Sequence, residues 1–360
     1  MILLNPGPVN LSPGVRAALS LPDLCHREPE FAELQACIRA GLLEAYGLSH
    51  QRWAAVLLTG SGTAAVEAMI TSLVPKTGYL LVIDNGVYGE RMSRIAQLHN
   101  IEYYALRYAW GDGARTAEVA AFLDKQPKVS HVALVHHETT TGRLNKLGEI
   151  GKLCAARGIG VLLDAVSSFG AEQIDFEGCA IVGCAATANK CLHGVPGVSF
   201  VVAQREKLNA PNCTPRTLYL DLAAYCREQD QGGTPFTQSV QAFYALAAAL
   251  DEFKEQGGLA QRQERYRQLS QQLRAGLSQR GLHALLKEDE CSVVLSAFRL
   301  PKGLGYEQLH DRLKERGFVI YAGQGRFARE IFRISTMGEI TRDDIERLLD
   351  AIGEIVRIPN

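Results

Sequence analysis

Between Trp53 and Val202 the chain keeps returning to short, uniformly apolar runs that stop at glycine or a small polar residue and give way to amphipathic stretches. Ala54-Ala55-Val56-Leu57-Leu58 leads into Thr59-Gly60-Ser61-Gly62-Thr63 and then Ala64-Ala65-Val66-Glu67-Ala68-Met69, which reads as strand, glycine turn and helix start. Residues 79–83, 131–135, 160–164 and 197–202 repeat the apolar run. A strand without polar alternation has both faces covered, and helices between successive strands supply that cover. The pattern predicts a large α/β domain around a mainly parallel sheet. From about 238 to 280 the sequence is rich in Ala, Leu, Glu, Gln and Arg, which predicts one long connecting helix. Beyond it, 292–298 and 331–335 read as strands, with helices over 306–316 and 341–356 to cover them. The expected division is a large domain over 1–245, then the connecting helix and a small α+β domain over 246–360.

A chain of 360 residues is long enough for both units. Lys and Arg number 38 against 39 Asp and Glu, so a net charge of -1 gives no electrostatic basis for a nucleic-acid or membrane-surface partner. The 9 cysteines include Cys213, are odd in number and form no Cys-x-x-Cys pair, which argues against a disulfide framework or a zinc site. The N-terminus lacks a signal-like pattern, and no run of about 18 apolar residues occurs. A cytoplasmic protein without a metal is expected.

Candidate chemistry gathers where strands end, the edge at which open parallel sheets bind ligands. Ser61-Gly62-Thr63 combines hydroxyls with a helix N-terminus and forms a candidate phosphate cradle, or else a plain N-cap and turn. Asp164 closes an apolar run, where a carboxylate needs a partner. Lys190 follows Ala185-Ala186-Thr187-Ala188-Asn189, small uncharged neighbours that can leave its amine poorly solvated and nucleophilic. A lone lysine is usually a surface residue. In sequence order, however, a phosphate cradle, a strand-end aspartate and a lysine meet the needs of pyridoxal phosphate.

At this point whole motifs carry a resemblance. Asp164-Ala165-Val166-Ser167-Ser168-Phe169-Gly170 and Ala188-Asn189-Lys190-Cys191-Leu192-His193-Gly194 resemble the class V aminotransferases of fold type I, most of all those acting on 2-aminoethylphosphonate and pyruvate. Asn85-Gly86-Val87-Tyr88-Gly89-Glu90-Arg91-Met92 and His136-His137-Glu138-Thr139-Thr140-Thr141-Gly142 extend the likeness, which spans nearly the whole chain. It implies pyridoxal 5′-phosphate bound covalently at Lys190, which then shuttles a proton, with Asp164 on the ring nitrogen. It further implies Tyr88 over the ring face, Thr139 at the 3′-oxygen, and Ser61, Gly62 and Thr63 around the phosphate. Thr234 would reach the phosphate of a neighbouring subunit, making a homodimer with shared sites. Arg333 would grip the substrate's anionic group, as its planar fork suits. The N-terminal arm, residues 1–30, would lie near the substrate pocket. There His26 or Arg27 would add positive charge, or Arg27 would pair structurally with Glu28 or Glu30.

The substrates implied are an aminophosphonate and a 2-oxo acid. An ammonia lyase for hydroxylated aminoethylphosphonates and an alanine- or serine-glyoxylate transaminase are the alternatives, because the cofactor supplies the electron sink in each case. A cofactor-binding regulator without activity is a further alternative, which the presence of Lys190, Asp164 and the phosphate loop argues against.

Overall fold

The computed structural model describes residues 1–210 and 215–357. Its centre is a 7-stranded sheet in the order Trp53–Gly60, Gly197–Gln204, Ile181–Thr187, Gly160–Asp164, Val129–Val135, Tyr79–Asp84 and Tyr103–Arg107. All neighbours run parallel except Gly197–Gln204, which is antiparallel to both of its own. The apolar runs are apolar throughout because both faces are covered. Ala55 and Leu57 pack with Phe31, Ile38 and Phe243 from the helices Pro29–Glu44 and Val240–Glu255. Their neighbours Val56 and Leu58 pack on the opposite face with Ala65, Met69 and Leu73 of the helix Gly62–Leu73.

Two strands of this sheet were not anticipated. The middle of Ile181–Thr187, Gly183-Cys184-Ala185-Ala186, lacks the β-branched density that marks a strand. The small residues are required by close packing: a Cβ on Gly183 would lie 2.5 Å from Leu73 Cδ1, on the helix pressed against it. Tyr103–Arg107 is a half-exposed edge strand with a correspondingly weak apolar signal.

The single long helix expected over 238–280 is two helices, Val240–Glu255 and Gly258–Gln279. Gly257 and Gly258 break it with φ of 92° and 67°, a left-handed geometry that glycine adopts without a Cβ clash. The strand expected from 292 begins instead at Leu295. Ser292 and Val293 are held out of it by Glu172, whose Oε1 accepts from Ser292 Oγ at 2.6 Å and from the Val293 amide at 2.9 Å.

The C-terminal unit holds an antiparallel sheet in which Ile331–Ser335 lies between Leu295–Arg299 and Tyr321–Ala322. The helices Tyr306–Glu315 and Arg342–Arg357 complete it. Residues at the start of the chain join this unit: Ile2–Leu3 pairs in parallel with Phe318–Val319, and Leu4 is buried among Phe298, Phe332 and Ile334. The chain then turns toward the sheet edge, where Gly7, at φ 102°, lies so near Lys190 that a Cβ would stand 2.7 Å from Lys190 Cδ. Among the described residues no helix is long and apolar enough to cross a membrane. Described cysteines are free thiols, and Cys213 lies outside the described residues.

Candidate active site

Asp164 ends the central strand Gly160–Asp164, and the chain turns at once, its Oδ1 accepting from the Val166 amide at 3.0 Å. Ser61 stands at the neighbouring strand-to-helix turn as the N-cap of Gly62–Leu73, yet its hydroxyl makes no capping bond and the residue is exposed. Gly62 is needed by contact rather than by backbone angle: a Cβ there would meet Val166 Cγ1 at 2.7 Å and Cγ2 at 2.9 Å. Lys190 follows the end of Ile181–Thr187 and keeps part of its side chain open. Ser61, Gly62, Thr63, Tyr88, Asp164 and Lys190 therefore line one cavity of about 170 Å³. A smaller recess beside it adds Thr139 and His137 to Tyr88, Asp164 and Lys190.

Burial sets the electrostatics. It lowers the Lys190 ammonium from 10.5 to about 8, with Arg333 and Arg91 acting the same way and Asp164 opposing. The Asp164 carboxyl is pushed up to about 6, again chiefly by burial, while the Val166 amide, Arg91 and Lys190 pull it down. A cation set against Asp164 would offset that penalty, which is what a protonated ring nitrogen provides. Burial lowers His137 to about 4, and its Nδ1 lies 2.9 Å from the Ser167 carbonyl. A carbonyl only accepts, so Nδ1 carries the proton and Nε2 is a bare acceptor. That Nε2 is buried and has no partner, at a cost of about 1–3 kcal/mol unless a ligand satisfies it.

Glu138 ties two loops together. One oxygen accepts from the Thr140 amide at 3.2 Å and from its hydroxyl at 2.6 Å, and the other accepts from the Tyr88 amide at 3.3 Å. Burial raises this carboxyl to about 7, against those bonds. Gly86 permits the approach, since a Cβ would stand 2.3 Å from Glu138 Cδ. Tyr88 and Thr139 are thereby held together at the cavity.

Arg333 is 1% exposed. Its Nε donates to the Ala322 carbonyl at 2.8 Å, and Nη1 donates to the Thr139 carbonyl at 2.7 Å and to Gln324 Oε1 at 3.3 Å. The guanidinium sits 5.6 Å from the Tyr321 ring centroid. Among the described residues no carboxylate pairs with it. Burying an uncompensated charge costs several kcal/mol, so the arrangement is suited to an anion brought by a ligand.

Other expected residues lie elsewhere. Thr234 is buried, donates to the Phe236 carbonyl at 3.1 Å and accepts from Gln238 Nε2 at 2.8 Å, and it does not line its own chain's cavity. His26 and Arg27 precede the helix Pro29–Glu44 and line neither recess. Arg27 is exposed and, among the described residues, pairs with neither Glu28 nor Glu30, and the buried Nε2 of His26 has no partner. Sequence reasoning assigned no role to His137, Glu138 or Arg91. The signal for Arg91 was available: it stands three residues after Tyr88 on the helix Val87–Leu98, hence on the same face.

The residues present fit pyridoxal phosphate: an amine of lowered pKa, a carboxylate in want of a cation, a hydroxyl-lined helix start and an orphaned acceptor on two adjoining recesses. Comparison with known proteins agrees. The profile of the aminotransferase class-V family matches residues 44–348. A 2-aminoethylphosphonate–pyruvate transaminase of Vibrio cholerae is 39% identical over 360 residues, covering 99% of this chain and 97% of that protein. One from Salmonella schwarzengrund is 38% identical over 358 residues, covering 98% and 96%. Among solved structures, an aspartate aminotransferase of subgroup IV from Thermus thermophilus superposes with a TM-score of 0.90 at 30% identity, covering 99% of both chains. An alanine–glyoxylate aminotransferase from Nostoc superposes at 0.92 with 26% identity, covering 99% of this chain and 95% of that one. With the profile, the full-length relatives and the fold in agreement, this chain belongs to the class V aminotransferases.

Proposed function

We propose that this enzyme transfers the amino group of 2-aminoethylphosphonate to pyruvate, giving phosphonoacetaldehyde and alanine. The observation that carries the reading is Arg333, a buried guanidinium without a carboxylate partner, bonded to the backbone of Thr139 at the edge of the Lys190 recess. It supplies the fixed positive charge that an anionic amine requires, and the full-length Vibrio and Salmonella relatives carry this activity in their names.

Bound pyridoxal phosphate supplies a carbonyl carbon that takes up the amine and a protonated ring that spreads the electrons released from the substrate carbon. Lys190 holds the cofactor through its Nζ. The Lys190 amine, lowered to about 8 by burial, would be the group that holds and moves the proton taken from the substrate carbon. Asp164 would keep the ring nitrogen protonated, and Ser61, Gly62 and Thr63 would hold the phosphate. Tyr88 and Thr139, fixed to one another through Glu138, would serve the ring and its 3′-oxygen. Arg333 would orient the phosphonate, and His26 or Arg27, which line neither recess here, would add charge against its second negative charge. The same reading takes the enzyme to be a cytoplasmic homodimer in which Thr234 serves the partner's phosphate, consistent with its place outside its own cavity.

Substitution tests the substrate half of this reading. Removing one partner of a desolvated, charge-assisted pair costs about 2–5 kcal/mol, roughly 30- to 5000-fold. Arg333→Ala should lower kcat/KM for 2-aminoethylphosphonate by at least the smaller factor. Arg27→Ala should cost less and should hurt the phosphonate more than the carboxylate analogue β-alanine. Because specificity is a ratio, both substrates are measured with each variant. An Arg333→Ala enzyme that keeps wild-type use of the phosphonate would refute the assignment.

A further inference from the structure

We infer that Arg91 is the charge partner of the cofactor's phosphate, an inference that rests on the pyridoxal phosphate reading above. A phosphate monoester carries about -1.5 to -2 charges at neutral pH. The cradle formed by Ser61, Gly62 and Thr63 offers hydroxyls and backbone N–H groups but no formal charge. Of the side chains lining the cavity, Lys190 and Arg91 are the cationic ones. The Lys190 amine is committed to the covalent link, and Arg333 does not line this cavity. Arg91 is left to balance the phosphate.

Its geometry fits that task. Arg91 Nη1 donates to Thr63 Oγ1 at 3.1 Å, which sets the guanidinium at the N-terminal turn of Gly62–Leu73. The Arg91 guanidinium carbon lies 4.7 Å from the Tyr88 ring centroid, one helical turn away on the same face. The adjacent carboxylate, Glu90, turns instead to Trp110 and accepts from its Nε1 at 3.0 Å. Among the described residues no carboxylate pairs with Arg91. A half-buried guanidinium held by a hydroxyl and a ring, in no ion pair among the described residues, keeps its remaining N–H donors for an incoming dianion. Thr63, whose hydroxyl oxygen accepts from Arg91, couples the cation to the cradle.

A competing role is purely mechanical, with Arg91 as a shelf that keeps Tyr88 over the ring. The two roles separate on a ligand that has the ring and lacks the phosphate. The apoenzyme is titrated with pyridoxal 5′-phosphate and with pyridoxal, and dissociation constants are read from the absorbance change, independently of turnover. Thermal unfolding of each apoprotein checks its fold. Losing a charge-assisted hydrogen bond costs roughly 10- to 100-fold in affinity. Arg91→Gln should weaken pyridoxal phosphate by that factor and leave pyridoxal within about threefold. Arg91→Lys, which keeps the charge without the fork, should fall between Arg91→Gln and wild type. It also serves as the test variant if Arg91→Gln does not fold. An equal loss for both ligands, as the shelf role requires, would overturn the inference, and so would no loss at all. A wild-type apoenzyme that binds the two ligands equally would overturn the cofactor reading and Arg91's role with it. Wild-type preference for the phosphorylated ligand, kept unchanged in both variants, would overturn the role of Arg91 alone.

Discussion

Lys190 reaches a pKa of about 8 because burial removes its solvation, with Arg333 and Arg91 acting the same way against Cys191 and Asp164. The neutral amine is the nucleophile, so it becomes available as pH rises through that value. Attachment of pyridoxal phosphate to the apoenzyme should therefore accelerate between about pH 7 and 9 and then level off, because an unperturbed lysine titrates at about 10.4. Stopped-flow absorbance measures this rate; a rate still climbing toward the unperturbed value would show that Lys190 is not desolvated in solution. Lys190→Ala should abolish the borohydride-reducible adduct while the protein stays folded. Lys190 and Asp164 were legible in the sequence because each stands at the end of an apolar or small-residue run. His137 was not, because a histidine after a strand has ordinary roles until its partners and burial are known, and Arg91, whose spacing from Tyr88 could be read, gains weight only with its partners.

Individual elements position these groups through contacts that tolerate little addition. The helix Gly62–Leu73 can bring its N-terminus to the cavity because Gly62 admits Val166 and because Gly183 admits Leu73. Gly62→Ala places a methyl within 2.7 Å of Val166 Cγ1, closer than real Cβ contacts allow. The helix start must then move away from the cradle. Overpacking of this kind costs about 1–3 kcal/mol, and here part of it should appear as weaker pyridoxal phosphate binding, roughly 5- to 150-fold. Equilibrium titration of the Gly62→Ala apoenzyme measures it; wild-type affinity would mean that this turn does not form the cradle. The same close packing explains why Ile181–Thr187 escaped notice: residues chosen for small size do not announce a strand. The Lys190 loop is braced in turn by His193, whose Nε2 lies 2.5 Å from Tyr266 Oη and accepts from the Gly338 amide at 3.0 Å. That brace links the Lys190 loop to the helix Gly258–Gln279 and to the segment just beyond Arg333.

At the scale of the molecule, the mainly parallel character of the sheet could be read from its apolar runs, whereas contacts between distant segments could not. The two-residue strand Ile2–Leu3 is too short to carry a pattern, yet it ties the start of the chain to Phe318–Val319 before Gly7 reaches Lys190. Thr234 poses the corresponding question between subunits. If it serves the partner's phosphate, Thr234→Ala alone should bind pyridoxal phosphate weakly. Dimers mixed from Thr234→Ala and Lys190→Ala subunits should then recover tight, reducible binding in one of their two sites. Mixing that restores nothing would place the role of Thr234 within its own subunit. The substrate claim is tested most directly by product analysis of the wild-type holoenzyme supplied with 2-aminoethylphosphonate, with and without pyruvate. The account predicts that phosphonoacetaldehyde and alanine accumulate in equal amounts, and that without pyruvate turnover stops after one equivalent per site. Ammonia release without pyruvate, or indifference to the phosphonate alongside turnover of alanine with glyoxylate, would contradict it.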